Sequence, residues 1–138
     1  MTRRIAILWD NFGPLHIDRC NAVARHFTKS LEVIGIEVFA GSSIYDWQQP
    51  EADEFRKVTL FQAGSWAEIS SLRIANAVVN AVRSNKCEAA FLCHYDQAAM
   101  LVVAARLRLA YPSTDQALRP MVWRFRRERS RSRREDIG

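Results

Sequence analysis

Apolar residues come in short blocks along this chain, and the length and spacing of each block predict an element. Ile5 to Trp9 is an unbroken apolar run, as expected of a strand covered on both faces. Over residues 18–34, Cys20, Val23, Ala24, Phe27, Leu31 and Ile34 recur at steps of three and four, one stripe of a helix. Gly35 would stop that helix, and residues 36–40 read as a second strand ending at Gly41-Ser42-Ser43. Residues 44–57, with Trp47, Pro50 and Glu51-Ala52-Asp53-Glu54, read as an exposed loop. A third strand is expected at residues 58–61. Ser65-Trp66-Ala67-Glu68 has the form of a capping box with Ser65 as N-cap. The helix it opens would carry Ile69, Leu72, Ala75, Val79 and Val82 on one face and end near Ser84-Asn85. Residues 89–93 form a fourth apolar run, followed by the turn His94-Tyr95-Asp96. A last helix over residues 97–109 would use Met100, Leu101, Val103, Ala104 and Leu107 as its apolar residues.

Strands that alternate with helices predict an α/β protein, an open parallel sheet with helices on both faces. The turns at Gly13, Gly41, Gly64 and His94 would then share one edge, the expected ligand side of such a sheet. One domain is expected over residues 1–111. Residues 118–125 have apolar content, including Met121, Val122 and Trp123, but no amphipathic period. The whole stretch 112–138 reads as an irregular, arginine-rich, disordered tail.

Charge sharpens this division. The chain of 138 residues carries a net charge of +5. Residues 1–118 hold twelve basic and twelve acidic side chains, whereas residues 119–138 hold eight arginines against Glu128, Glu135 and Asp136. The globular part is therefore balanced, and long-range electrostatic steering by it is not supported. No apolar run is long enough to span a bilayer, and Asp10 and Asn11 break the first one, so a cytoplasmic protein is expected. Cys20, Cys87 and Cys93 form no C-x-x-C pair and read as three free thiols. His16, Cys20 and His26 share a segment, but that is one donor short of a structural zinc site.

The chain has no G-x-G-x-x-G after its first strand, no G-x-x-x-x-G-K-[ST] and no G-x-S-x-G. These absences disfavour a dinucleotide fingerprint, a P-loop and a hydrolase elbow. What remains is the first loop, which packs Gly13, Pro14, His16 and Arg19 into seven residues. The stretch Ile-Leu-Trp-Asp-Asn-Phe-Gly-Pro-Leu-His-Ile-Asp-Arg resembles the start of a family 4 glycosyltransferase of the GT-B architecture, built from two Rossmann-like domains. The order of elements over residues 4–109 is similar to the amino-terminal domain of that family, ending in Phe-Leu-Cys-His-Tyr-Asp-Gln-Ala-Ala. The Gly-Pro-x-His-x-x-Arg turn carries most of the likeness.

The resemblance implies an acceptor-side domain, with a nucleotide-sugar donor held mainly by a second domain. Under it, Gly13 would let the backbone approach the donor diphosphate, aided by the amino terminus of the following helix. His16 and Arg19 would line the acceptor side of the first loop, and His94 would be the catalytic acceptor-side histidine. It implies no cofactor or metal beyond the nucleotide sugar. The chain departs from the family in having Gly13-Pro14 where many members have Gly-Gly, which removes one N–H donor. It also carries no counterpart of the donor-binding domain, which implies a truncated enzyme, inactive alone, whose carboxyl-terminal domain or partner chain is missing.

Each residue also has a plainer reading. Gly13 could serve a tight turn, His16 a surface loop, and Arg19 and His26 a solvated helix. Asp10 and Asp96 could be loop anchors or caps, Asp96 capping the last helix, and Trp9 and Trp66 are expected to pack. The arginine run has three readings: a solvated end, a contact for nucleic acid or an anionic surface through residues 124–134, or the product of a shifted reading frame. The last is favoured, and it expects a second α/β domain in another frame downstream. The alternative to the transferase is a small non-enzymatic α/β binding module whose basic tail docks on nucleic acid.

Overall fold

A computed structural model describes residues 2–41 and 54–110 of the chain. The elements run β1 (Arg3–Trp9), α1 (Pro14–His26), β2 (Leu31–Phe39), β3 (Arg56–Phe61), α2 (Ser71–Ser84), β4 (Ala89–Phe91) and α3 (Ala98–Ala110). The four strands form one parallel sheet in the order β3-β2-β1-β4, a Rossmann-like α/β arrangement. The tail at residues 112–138 and most of the predicted loop at 44–57 lie outside the described residues.

The pleat explains how both faces are filled. Ala6 and Leu8 of β1, with Ile34, Ile36 and Val38 of β2, face a core closed by Ile74, Ala75, Val78 and Val82 of α2 and Met100 and Val103 of α3. Val33 of β2, with Ile5 and Ile7 of β1, faces the opposite side, where Ile17, Cys20 and Ala24 of α1 pack with Phe12 and Phe55. One face therefore carries α1, and the other carries α2 and α3. No helix among the described residues is long and apolar enough to cross a membrane.

The largest departure from the sequence pattern is at the join of α1 and β2. The helix begins at Pro14 and ends at His26, and Leu31 to Ile34 belong to β2. Pro14 is pre-set for the first helical position, which moves the start back from residue 18. Leu31 and Ile34 fit a helical stride, but Val33, Ile34, Ile36 and Val38 are β-branched. Pairing Ile5 with Val33 and Leu8 with Ile36 along β1 decides in favour of the strand. Gly35 is no helix stop. It sits mid-strand opposite Ile7, where a Cβ would overlap the Phe55 ring and come within 3.1 Å of Phe12 Cζ.

The capping box is also displaced. The Ser65 carbonyl accepts from the N–H groups of Glu68 and Ile69, closing one isolated turn. Ser70 is the N-cap, and its Oγ accepts from Arg73 N–H at 3.3 Å. Because the helix starts at Ser71, Ile69 precedes it, and Leu72 is exposed while Ile74 and Val78 fill the core. In α3, Met100 and Val103 are buried as expected, but Leu101 and Ala104 are exposed. β4 stops at Phe91, two residues short of the predicted run. β3 instead gains Arg56 and Lys57 from the expected loop.

Candidate functional site

In the order β3-β2-β1-β4 the chain moves outward from β1 on one side and then returns to its other side with β4. The direction of winding reverses between β1 and β4. In open parallel sheets the crevice at the carboxyl ends of such a strand pair is where ligands bind. The helices after these two strands leave on opposite faces, α1 on one and α3 on the other, which opens the gap between their loops.

β1 ends in Trp9 and Asp10. The Asp10 carbonyl accepts from Phe39 N–H at 2.7 Å, and its Oδ1 accepts from Asn11 N–H at 2.7 Å, so the loop is anchored as it leaves the sheet. Phe12 is buried beneath it, and its N–H donates to Glu37 Oε2 at 2.7 Å. Glu37 is 1 % exposed, and its other oxygen lies 3.1 Å from Thr59 Oγ1 and 3.4 Å from Lys57 Nζ. A buried carboxylate on β2 thus fixes the first loop to the sheet and is itself charge-compensated.

Gly13 is the N-cap of α1 with φ −80° and ψ 173°, an extended conformation that any residue adopts. The turn therefore makes no use of the backbone freedom of glycine at this point. Gly13 N–H donates to His16 Nδ1 at 3.2 Å, and its carbonyl accepts from the N–H groups of His16 and Ile17. His16 so occupies the third helical position, where a Glu or Gln commonly reaches back to the cap. With Nδ1 accepting, the neutral ring carries its proton on Nε2. Burial pushes the His16 pKa below its ordinary 6.5, and the Arg19 and His94 charges push the same way against Asp10. The His16 ring packs on Trp9 at a centroid distance of 4.2 Å.

His94 arrives from the other side of the crevice. It lies three residues beyond the end of β4 and has φ +53°, a left-handed conformation uncommon outside glycine. Its carbonyl accepts from Gln97 N–H, which turns the chain into α3. Its Nε2 is covered from solvent and lies 3.2 Å from Asp10 Oδ1, close enough for electrostatic attraction but not aligned as a hydrogen bond. Trp9 and Trp66 flank the ring, at 6.3 Å edge-on and 5.8 Å. Trp66 in turn meets Phe39 edge-on at 5.3 Å. The two tryptophans are half-buried and pack on the core, as the plainer reading expects.

The sheet edge thus brings Asp10, His16 and His94 together around Trp9. Arg19 lies one turn further along α1, exposed, near enough to influence His16. His26 is at the far end of α1, edge-on to Phe27, away from the crevice. Asp96 does not take the place of a helix cap; its carboxylate accepts from the Gln97 side-chain amide at 3.2 Å. Sequence reasoning named Asp10 only as a loop anchor or helix cap and passed over Glu37. An acidic residue inside the apolar run Val33 to Phe39 was the available signal for the latter.

All three cysteines are reduced. Burial pushes the Cys20 thiol up to about 11 and Cys93 up to about 12, and raises Cys87 as well. Protonated thiols of this kind are poor nucleophiles. Among the described residues no group of three or more His, Cys, Asp or Glu side chains could hold a metal ion. A shallow hollow of about 650 Å³ lies at the opposite, amino-terminal edge of the sheet, lined by Arg4, Glu32, Glu54, Lys86 and Glu88 among others. Arg4 and Glu32 pair within its lining, and Glu54 and Glu88 pair with Arg25 and Arg3 outside it, so it offers little that converges on a ligand.

Compared with known protein families, curated proteins and solved structures, the chain matches none of them.

Proposed function

We propose that residues 2–110 are the acceptor-side domain of a glycosyltransferase that takes a sugar from a nucleotide-sugar donor. The observation that carries this reading is the meeting of Asp10, His16 and His94 at the crevice between β1 and β4. The Gly13-Pro14-x-His16-x-x-Arg19 turn supports it from the sequence. In this reading His94 accepts the proton of an acceptor hydroxyl. Its Nε2 is covered beside Asp10, which leaves Nδ1 to act as the base. The half-exposed Asp10 carboxylate, 3.2 Å from Nε2, stabilises the imidazolium that forms by its charge. His16, neutral with Nε2–H available, and Arg19 bind polar groups of the substrates. Stabilising the transition state needs both walls of a cleft, so sugar transfer by this domain alone is not expected.

The test is titration of the full chain with UDP-, GDP- and ADP-sugars and with mono- and disaccharide acceptors, followed by calorimetry. Weak saturable binding that falls at least about tenfold in His94→Ala and in His16→Ala supports the reading; that loss corresponds to roughly 1.4 kcal/mol. Binding by none of these ligands, or equal binding by both variants, overturns it. The concentration of positive charge in residues 119–138 favours a second reading, docking on nucleic acid. Salt-sensitive RNA binding that is unchanged in His94→Ala and lost when Arg124 to Arg134 are replaced by serine would select it.

A further inference from the structure

α2 and α3 pack side by side on one face of the sheet, and neither helix contains an aspartate or a glutamate. Together they carry Arg73, Arg83, Arg106 and Arg108. None of these four pairs with a carboxylate among the described residues. Arg73 lies over the Phe61 ring and Arg106 donates to the Asn76 side-chain oxygen, but neither partner is an anion. The α1 face differs. There the exposed Asp18 stands beside Arg19, and Arg25 pairs with Glu54.

The α2 and α3 side also exposes leucines. Leu72 is 59 %, Leu101 60 % and Leu109 80 % exposed. On α3, Leu101, Ala105, Arg108 and Leu109 share the stripe turned away from the buried Ala99, Met100 and Val103. That stripe is apolar and cationic at once. Between the helices, Asn76, Asn80, Arg83, Arg106 and Leu109 line an open groove of about 510 Å³. Asn76 accepts from Arg106 through its oxygen, so its amide N–H groups remain to donate. Guanidinium forks match the oxygens of phosphate and carboxylate.

The pairing of these two features selects the partner. Uncompensated arginines attract any polyanion, but exposed leucines gain nothing from a nucleic-acid backbone. A docked peptide helix needs apolar residues that line a concave groove, whereas these leucines stand proud of their helices. The interface of an anionic bilayer takes both, with apolar side chains entering the headgroup boundary and basic ones held at its charged surface.

We infer that the outer side of α2 and α3 docks on an anionic phospholipid surface. Leu72, Leu101 and Leu109 enter the headgroup region, and the four arginines meet lipid phosphates and carboxylates. The helices lie along the bilayer and do not cross it, since neither is long and apolar enough to span. This docking goes beyond the glycosyltransferase reading and does not rest on it.

The experiment is co-sedimentation with vesicles of phosphatidylcholine alone and of phosphatidylcholine with phosphatidylserine as about a third of the lipid. The arginines at residues 124–134 also attract anionic lipid, so binding is measured both in the natural chain and in a full-length chain with those arginines replaced by serine. Two double variants are made in each, Arg83→Gln with Arg108→Gln and Leu101→Gln with Leu109→Gln. All four positions are exposed, and circular dichroism checks that each variant is folded. The expected result is that both chains bind the phosphatidylserine vesicles in preference to phosphatidylcholine. In the serine-substituted chain each double variant lowers the partition coefficient at least about tenfold, as two arginines at about fivefold each predict. No binding by the serine-substituted chain overturns the inference, because the arginines at 124–134 are then the whole attraction. Equal binding to both kinds of vesicle overturns it as well. So does a loss in the arginine variant with binding unchanged in the leucine variant, because the face would then serve any polyanion, an RNA or an acidic peptide included.

Discussion

At the residue scale, the two histidines hold opposite kinds of constraint. His94 is held in a left-handed backbone conformation that costs an L-residue roughly 1–2 kcal/mol. Glycine bears no such cost, so His94→Gly should be more stable than His94→Ala by about 1 kcal/mol in urea unfolding. Equal stabilities of the two variants would show that the backbone there is unstrained. His16 is constrained through its proton. Folding lowers its pKa below 6.5, so the unfolded chain takes up the proton first as the pH falls. Its contribution to stability is complete above pH 6.5 and is lost as the pH drops through the lower folded value. The side chain of His16→Asn has no titratable ring but can still accept from Gly13 N–H. The urea midpoint of this variant should fall less steeply between about pH 7.5 and 5.5 than that of the natural chain. Parallel curves for the two proteins would remove His16 as the source of that slope.

At the scale of elements, β1 and its turn are legible because an apolar run followed by Asp10-Asn11-Phe12-Gly13-Pro14 admits few other readings. The boundary of α1 and β2 is not legible, because Leu31 and Ile34 satisfy a helical stride and a strand equally. Only the pairing of Val33 and Ile36 with β1, a long-range fact, decides between them. Two serines compete to open α2, and a pattern of two residues cannot rank them. Ser70 has the helix behind it and Ser65 only one turn. Gly35 was visible as a glycine, but its reason is the crossing of Phe55 and Phe12 over β2. Gly35→Ala should therefore cost about 1–3 kcal/mol by overpacking, measured by urea unfolding. A stabilised Gly35→Ala variant would mean that Phe55 does not lie against the strand.

At the scale of the molecule, the reversal of winding at β1 decides where chemistry can gather. It sends α1 and α3 to opposite faces and leaves Asp10, His16 and His94 around one crevice. That His94 belongs near the first loop was legible from its place after an apolar run. Its partnership with Asp10 was not, because it depends on β4 lying beside β1 rather than beside β3. Glu37 acts over the same distance, since it holds Phe12 and with it the loop that presents His16. The amino-terminal edge carries a hollow as well, but all three of its lining glutamates, Glu32, Glu54 and Glu88, are already paired with arginines.

The most direct measurement is an NMR titration of the full chain with nucleotide sugars and saccharides, following backbone amides and histidine ring protons. Shifts concentrated on Trp9, Asp10, His16 and His94 are expected. Shifts concentrated on Arg4, Glu32, Lys86 and Glu88 would place the ligand at the opposite edge and contradict the site described above.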